Sequence, residues 1–295
     1  MSIKHPIISV TGASGAGTTS VKQTFEQIFR REKVNAAYIE GDAFHRYDRR
    51  DMKRVIAAAA GEGNNHLSHF GPEANLLEEL EATFKSYSER GTGKTRSYVH
   101  DEDAGLPVEA KTGTFTPWED LPTGTDLLLY EGLHGSFKDD TGKEGGVNLA
   151  RFGDLKIGVV PVINLEWIQK IHRDKADRGH SLEDVTQTIL RRMPDYIRYI
   201  CPQFTETDIN FQRVPTVDTS NPFVARWIPT PDESMVVIRF RNPRGIDFSY
   251  LLSMIHDSFM SRANSIVVPG GKLDLAMQLI LTPLIMQLVE RKRRA

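Results

Sequence analysis

The apolar positions of this chain fall into short β-branched runs separated by stretches of helical period. Ile7–Val10 is such a run and ends in Thr11-Gly12, while Val21, Phe25, Ile28 and Phe29 recur on one face of a predicted helix over Ser20–Glu32. Ala36–Glu40 predicts a second strand, ending at Gly41-Asp42. Asp51–Ala60 and Glu73–Glu89 predict helices, Asp126–Tyr130 and Ile157–Ile163 predict buried strands, and a charged helix is predicted from about Glu166 to Asp177. Strands alternating with helices imply an α/β domain with a mostly parallel sheet and helices on both faces. After Asp208 the strand candidates Ile209–Val214, Met235–Phe240 and Ile266–Val268 mix with helices over Phe248–Met260 and Leu273–Val289, and are read as late strands extending the same sheet. The Gly/Pro/Asp-rich segment 91–124 is too long for a plain connection and is read as an insertion over the sheet. Residues 1–295 are taken as a single domain.

Composition narrows the function. With 295 residues and 39% hydrophobic side chains the chain can bury a large core. The balance of 37 Lys+Arg against 39 Asp+Glu leaves a formal charge of −2, so no global basic field points to nucleic acid, and anion recognition has to be local. One cysteine, Cys201, allows no internal disulfide and suits a reducing cytoplasm. No signal peptide is read at the N-terminus. The apolar stretch Leu273–Val289 is interrupted by Asp274, Gln278, Pro283 and Gln287 and is shorter than the roughly 20 residues of a membrane span, so it is read as a core or interface helix, with no membrane partner.

The strongest chemical signal is Gly12-Ala13-Ser14-Gly15-Ala16-Gly17-Thr18-Thr19-Ser20, between the first strand and the first helix. Glycine-rich backbone there curls amide N–H groups around phosphate and aims the positive helix end at it. Gly12 and Gly17 fit a Walker A loop, GxxxxGK[ST], with Thr19 in the position whose hydroxyl binds Mg²⁺; Thr18 stands where the lysine belongs. The dinucleotide fingerprint GxGxxG does not fit, because the glycines here read GxxGxG, and no Tyr-xxx-Lys pair exists to serve short-chain dehydrogenase chemistry. Gly93-Lys94-Thr95 has a lysine but no glycine five residues earlier and no preceding strand.

The loop GASGAGTTS, the strand end YIEGDAFHRYDR (38–49), FTPWEDLP (115–122), LLLYEGLHG (127–135) and VVPVINLEWIQKIHRDKADRGHS (159–181) together resemble the bacterial phosphoribulokinase family, within a wider group that includes uridine and pantothenate kinases. Threonine at the Walker lysine position belongs to that family's pattern. The resemblance implies a P-loop nucleoside monophosphate kinase-like fold, with ATP and Mg²⁺ as donor and cofactor and ribulose 5-phosphate as acceptor in the Calvin–Benson cycle. It also implies a homo-oligomer activated by NADH and inhibited by AMP.

The residues admit that chemistry. Phosphoryl transfer needs charge neutralisation around the γ-phosphate and one group to orient and deprotonate the acceptor hydroxyl. Asp42, at the end of the second strand, lies where doubly wound sheets bind ligands, and the matching aspartate is the family's base; the plain alternative is a helix N-cap. Glu131 ends a buried strand where a Walker B carboxylate sits and, with Thr19, is the candidate Mg²⁺ ligand. Lys170, Arg173 and Asp174 share a helical face with Arg178 a turn beyond, so segment 165–181 is read as a lid that brings positive charge in place of the missing lysine, against the alternative of a solvated salt-bridged helix. In the family the matching Lys and Asp belong to the active site.

An acceptor with its own phosphate needs a second anion site, for which His45, Arg49, Tyr98 and His100 are the candidates and Arg50, Arg54 and Arg96 are background. For the allosteric nucleotide the available cations are Arg31, Arg239 and Arg262, with Arg30 and Arg241 nearby, residues 239 and 241 being expected to project to one side of a strand. Two other readings stay open: a uridine- or pantothenate-type kinase, and a non-catalytic nucleotide sensor.

Overall fold

The computed structural model describes residues 4–12, 18–100, 111–139, 145–176 and 181–294. Its centre is an eight-stranded sheet in the order β2-β5-β1-β6-β7-β8-β10-β9, formed by Ile7–Gly12 (β1), Ala36–Glu40 (β2), Leu127–Gly132 (β5), Leu155–Val160 (β6), Ile209–Pro215 (β7), Ser234–Phe240 (β8), Phe259–Arg262 (β9) and Ser265–Pro269 (β10). The first five strands in this order are parallel; β8 pairs antiparallel to β7, β10 to β8, and β9 to β10. The late strands therefore extend the same sheet, and their direction alternates from β8 onward.

Alternation along the strands builds two cores. Ile8, Val10, Leu127, Leu129, Ile157 and Val159 face one side, where they meet Val21, Phe25, Ile28 and Phe29 of α1 (Thr18–Glu32). On the opposite face Ile7, Leu128 and Tyr130 meet Leu77, Leu80, Phe84 and Tyr87 of the helix Leu77–Arg90. Consecutive strand residues point to opposite faces, so a strand covered on both sides reads as the continuous apolar run DLLLY. The helix Leu273–Arg294 lies beside α1 and buries Ala276, Met277, Ile280, Leu281, Ile285, Leu288 and Val289 in the first core. By length and composition this segment could cross a membrane; here it is a core helix, as its interrupted apolar pattern indicates.

Several boundaries differ from the sequence reading. The helix expected from Glu73 starts at Leu77, because Pro72 opens a 3₁₀ turn (Pro72–Ala74) and Asn75 is extended and bridged to His45. The helix expected over Phe248–Met260 stops at Met254. Ile255 is extended and Asp257 takes φ 63°, so the chain reverses into the edge strand β9. The strand expected to reach Ile163 stops at Val160 before Pro161, and the helix Ile163–Ala176 begins at once. Helix Leu182–Asp195, a π-helical segment Tyr196–Ile200 and the short helix Gln203–Glu206 occupy a stretch for which the sequence reading proposed no element. In chain order these helices and Arg49–Gly61 are numbered α2 (Arg49–Gly61), α3 (Leu77–Arg90), α4 (Ile163–Ala176), α5 (Leu182–Asp195), α6 (Gln203–Glu206), α7 (Phe248–Met254) and α8 (Leu273–Arg294). Within 91–124, β3 (Lys94–Thr95) and β4 (Glu119–Asp120) form an antiparallel ribbon.

Candidate active site

Asp42 and Glu131 stand at the carboxyl ends of neighbouring strands, where β2 and β5 pair with Glu40 opposite Glu131. The chain leaves these strands through glycines that touch each other. A Cβ on Gly132 would come within 2.7 Å of Gly41 Cα, and one on Gly41 within 2.6 Å of the Tyr130 hydroxyl. Any side chain at either position would force the two strand ends apart, so the glycines set the approach of the residues beside them. Asp42 lies in the 3₁₀ turn Gly41–Phe44 and caps no helix; α2 is capped by Asp48, whose Oδ1 accepts from Asp51 N at 2.7 Å. The capping alternative for Asp42 is thereby removed.

Histidines surround the Asp42 carboxylate. His45 Nε2 is 3.1 Å from Oδ1 and His100 Nε2 is 3.5 Å from Oδ2. Burial alone would raise the Asp42 pKa; the hydrogen bond and charge of His45, with the charge of His100, outweigh it and hold the group down at about 2. Asp42 is thus a carboxylate at any physiological pH. His69 stacks on His45 with ring centroids 4.2 Å apart and is kept neutral by burial and the neighbouring His45. His134, bonded to the Phe70 carbonyl, is likewise pushed down to about 4 by burial.

The insertion reaches this carboxylate through its described parts. Tyr98 packs edge-on against His100, centroids 4.9 Å apart, and bridges to Phe115. Arg49 opens α2, its amide donating to Gly113 O at 2.9 Å. Arg96, treated as background in the sequence reading, lies 3.6 Å over the Phe115 ring and 4.6 Å over Trp118 and donates to the carbonyls of Ala43 and His45, both at 2.7 Å. It ties the insertion to the turn that carries Asp42, a contact that its bare spacing did not reveal. Arg54 pairs with Asp51 on the exposed face of α2, as background should. His45 differs from the expectation of a free phosphate donor, because both of its ring nitrogens are engaged within the protein, Nε2 with Asp42 and Nδ1 with Asn75.

Helix α4 brings Lys170, Arg173 and Asp174 together. Lys170 Nζ bonds Asp174, whose side chain is 6% exposed, and Arg173 Nε approaches the same carboxylate at 3.4 Å. Burial lowers the Lys170 pKa, and Asp174 opposes that shift. Helix α5 and the π-helical segment after it tie this part of the chain to residues 67–70: Arg191 donates to Leu67 O, Ser68 to Asp195, and Phe70 packs edge-on against Tyr196. Arg192 acts electrostatically on both His69 and Lys170. Gly12 closes β1, and Thr18, Thr19 and Ser20 open α1. Ala13, Ser14, Gly15, Ala16, Gly17 and Arg178 lie outside the described residues.

Glu166, in the first turn of α4, is a half-buried acid the sequence reading did not single out. Burial raises its pKa to about 7, partly opposed by its bond with Tyr196 and the charge of Lys170. A folded value above the unfolded value near 4.5 means that its stabilising contribution is complete at low pH and is lost as pH rises through 7. The cost at pH 8 is about 3 kcal/mol by linkage. Thermal unfolding should therefore show Glu166→Gln gaining on the parent between pH 5 and pH 8; an unchanged difference between the two would remove the argument.

The arginines proposed for an allosteric nucleotide do not form one cluster. Arg239 and Arg262 are both in register with Ser265 of β10, on one face of the sheet. Arg31 belongs to the α1 side, donating to Gln278 and Thr282 of α8. That is the face to which Ile238 and Phe240 point, opposite to Arg239. Arg241 lies beyond the end of β8 and turns to Glu206, so it does not share a strand face with Arg239.

Comparison with known proteins agrees with this architecture. Residues 7–220 match the model of the phosphoribulokinase / uridine kinase family. The chain is 72% identical to a phosphoribulokinase of Xanthobacter flavus over 100% of both chains, and 70% identical to one of Nitrobacter vulgaris over 99% of both. Among solved structures, phosphoribulokinase from Rhodobacter spheroides superposes with a TM-score of 0.91 at 62% identity, covering 99% of this chain and 100% of the other. The parallel strand order around β1, the paired strand-end carboxyl groups and similarity over the full length lead to one assignment: the chain belongs to the phosphoribulokinase / uridine kinase family.

Proposed function

We propose that the chain is an ATP-dependent phosphoribulokinase, transferring the γ-phosphate of ATP to a hydroxyl of ribulose 5-phosphate to give ribulose 1,5-bisphosphate and ADP, the step that regenerates the CO₂ acceptor of the Calvin–Benson cycle. The observation that carries this reading is the Asp42 carboxylate, held ionised by His45 and faced by His100 at the strand-end crevice, in a chain similar from end to end to phosphoribulokinases.

The residues divide the work as follows. Asp42 accepts the hydrogen bond of the acceptor hydroxyl and takes its proton late, as the γ-phosphoryl group departs. A carboxylate of low pKa suits that timing, because in a loose transition state the hydroxyl becomes strongly acidic only once the new P–O bond forms. Arg49, Tyr98 and His100 bind the acceptor, Arg178 joins them from the lid, and His45 contributes through Asp42. The loop Gly12–Ser20 cradles the ATP phosphates, and Lys170 and Arg173, aligned by Asp174, supply the charge that Thr18 does not. The carboxylate of Glu131 and the hydroxyl of Thr19 are the hard oxygen donors that Mg²⁺ takes. Bound with ATP, the ion neutralises phosphate charge.

The purified chain with Mg²⁺ and ATP should release ADP when given ribulose 5-phosphate, with kcat on the order of 1–100 s⁻¹. Preference for uridine or pantothenate in the same panel would move it to a different kinase of the family, and nucleotide binding without turnover on any acceptor would make it a sensor.

The reading extends to a cytoplasmic homo-oligomer regulated by NADH through Arg239 and Arg262, which the register brings to either side of Ser265. Arg31 serves from a separate position. Exposed Phe259 on the edge strand β9, with exposed Tyr250 and Met254 of α7, supplies apolar area for assembly. NADH should raise activity without competing with ATP, and Arg239→Ala should weaken that response more than it lowers basal turnover. A flat titration, or inhibition competitive with ATP, would refute it.

A further inference from the structure

The hydrogen bonds around His45 fix which of its nitrogens carries hydrogen. Asn75 is 2% exposed, and both hydrogens of its amide are committed: Nδ2 donates to His69 O at 2.8 Å and to Gly71 O at 2.6 Å. Two carbonyl acceptors admit only the NH₂ group, so Asn75 Oδ1 is the atom that faces His45 Nδ1, at 2.8 Å. An amide oxygen can only accept, and Nδ1 therefore carries a hydrogen. In a neutral ring that leaves Nε2 as a bare lone pair. Yet Nε2 is 3.1 Å from Asp42 Oδ1, a carboxylate oxygen. Two lone pairs at that distance repel, so a proton has to lie between them.

We infer that Asn75 is a positioning residue for the reaction: by holding His45 as the Nδ1–H form it obliges His45 and Asp42 to share a proton through Nε2 and Oδ1, leaving Oδ2 as the oxygen that receives the acceptor hydroxyl. The remaining groups around the pair fit this division. His100 approaches Oδ2, the side left for substrate. His69 covers the flat face of His45, and its burial keeps it neutral, so it does not compete for the shared proton. His134 is buried and bonded to the Phe70 carbonyl. The backbone around Asn75 is held independently of its amide, since Arg46 N donates to Ala74 O and Leu76 N to Phe44 O, both at 2.8 Å. A leucine at position 75 keeps the size and these backbone bonds while removing the acceptor, together with the two donors to the His69 and Gly71 carbonyls, a loss that the kinetic cycle below separates from the effect on His45.

This role rests on Asp42 acting as the base of the proposed reaction, and two measurements separate the two ideas. The first needs no turnover: in ¹⁵N-histidine NMR spectra of the full chain, His45 should show hydrogen on Nδ1, whether or not Nε2 also carries one, and Asn75→Leu should release the ring to the Nε2–H form. A bare Nδ1 in the parent would overturn the inference even if the chain turns over ribulose 5-phosphate. The second is a kinetic cycle. Asn75→Leu should lower kcat by about tenfold in the parent, as loss of one hydrogen bond to a charged group does, and cause no further loss in a His45→Gln background. Equal losses in both backgrounds would mean that Asn75 supports the fold and not His45, and would reject the role.

Discussion

Asp42→Asn is expected to lower kcat by about 10²–10⁴-fold while ATP still binds, the range spanned by loss of a general base. Asparagine has nearly the same shape, so the 3₁₀ turn Gly41–Phe44 and its Arg96 anchor remain. What changes is the acceptor atom. An amide cannot take the proton of the incoming hydroxyl, and it has no charge with which to hold a proton on His45 Nε2, 3.1 Å away. The ATP side is built from other segments, the strand end at Gly12 and the start of α1. Single-turnover kinetics with ATP binding measured in parallel would separate the two effects, and kcat within about threefold of the parent would assign the base elsewhere.

Lys170→Met is expected to cost roughly 10²–10³-fold in kcat, the magnitude associated with removing one preorganised charge from a developing anion. A Walker loop with Thr18 in place of lysine lacks its own cation over the β- and γ-phosphates, and Lys170, on α4, is the cation we propose in its place. Its ammonium is largely buried and kept charged by Asp174, which is buried as well. Such a pair costs desolvation in the resting protein, and is weak evidence for stability alone. The control is Lys170→Met with Asp174→Asn, which also neutralises the buried carboxylate that has lost its lysine. If the double variant recovers both thermal stability and kcat, the lysine is structural; if stability returns and kcat does not, its charge acts on the phosphates.

Much of this was legible in the sequence because the relevant signals are local. β1 and β5 are covered on both faces and β2 runs straight into Gly41, so their apolar positions and the Gly-Asp and Glu-Gly pairs announced both the sheet and its two carboxyl groups. Helix α1 was visible in Val21, Phe25, Ile28 and Phe29, apolar residues it buries. The misses have non-local causes. Asn75 and His45 meet across a single bridge between segments thirty positions apart, and nothing in HFGPEAN marks one asparagine as a proton-setting group. Arg96 looked like any arginine in a polar insertion, since its value comes from Phe115, Trp118 and two carbonyls gathered by folding. The helices from Leu182 to Glu206 were obscured by Pro194 and by the π-helical turn that breaks their period after Asp195. β9 was hidden because its residues are exposed or half-exposed, which leaves an edge strand without an alternating pattern.

The central place of β1 also orders events during synthesis. β1 is made before every other strand, yet its two neighbours are β5 and β6, whose residues are Leu127–Gly132 and Leu155–Val160. Until those have left the ribosome the fully buried Ile7, Ile8 and Val10 have no sheet to join, and at the ordinary pace of about 5–20 residues per second that interval lasts many seconds. The antiparallel strands β8, β9 and β10 follow one another closely and can pair as they emerge, but the first core stays open until α8 comes down beside α1. The nascent chain thus carries an apolar N-terminal segment without its partners through much of translation, which makes it a candidate client for ribosome-associated chaperones. Protease pulses on stalled chains should find β1 still cleavable when synthesis halts before Leu127, and protected only after Val160 has emerged.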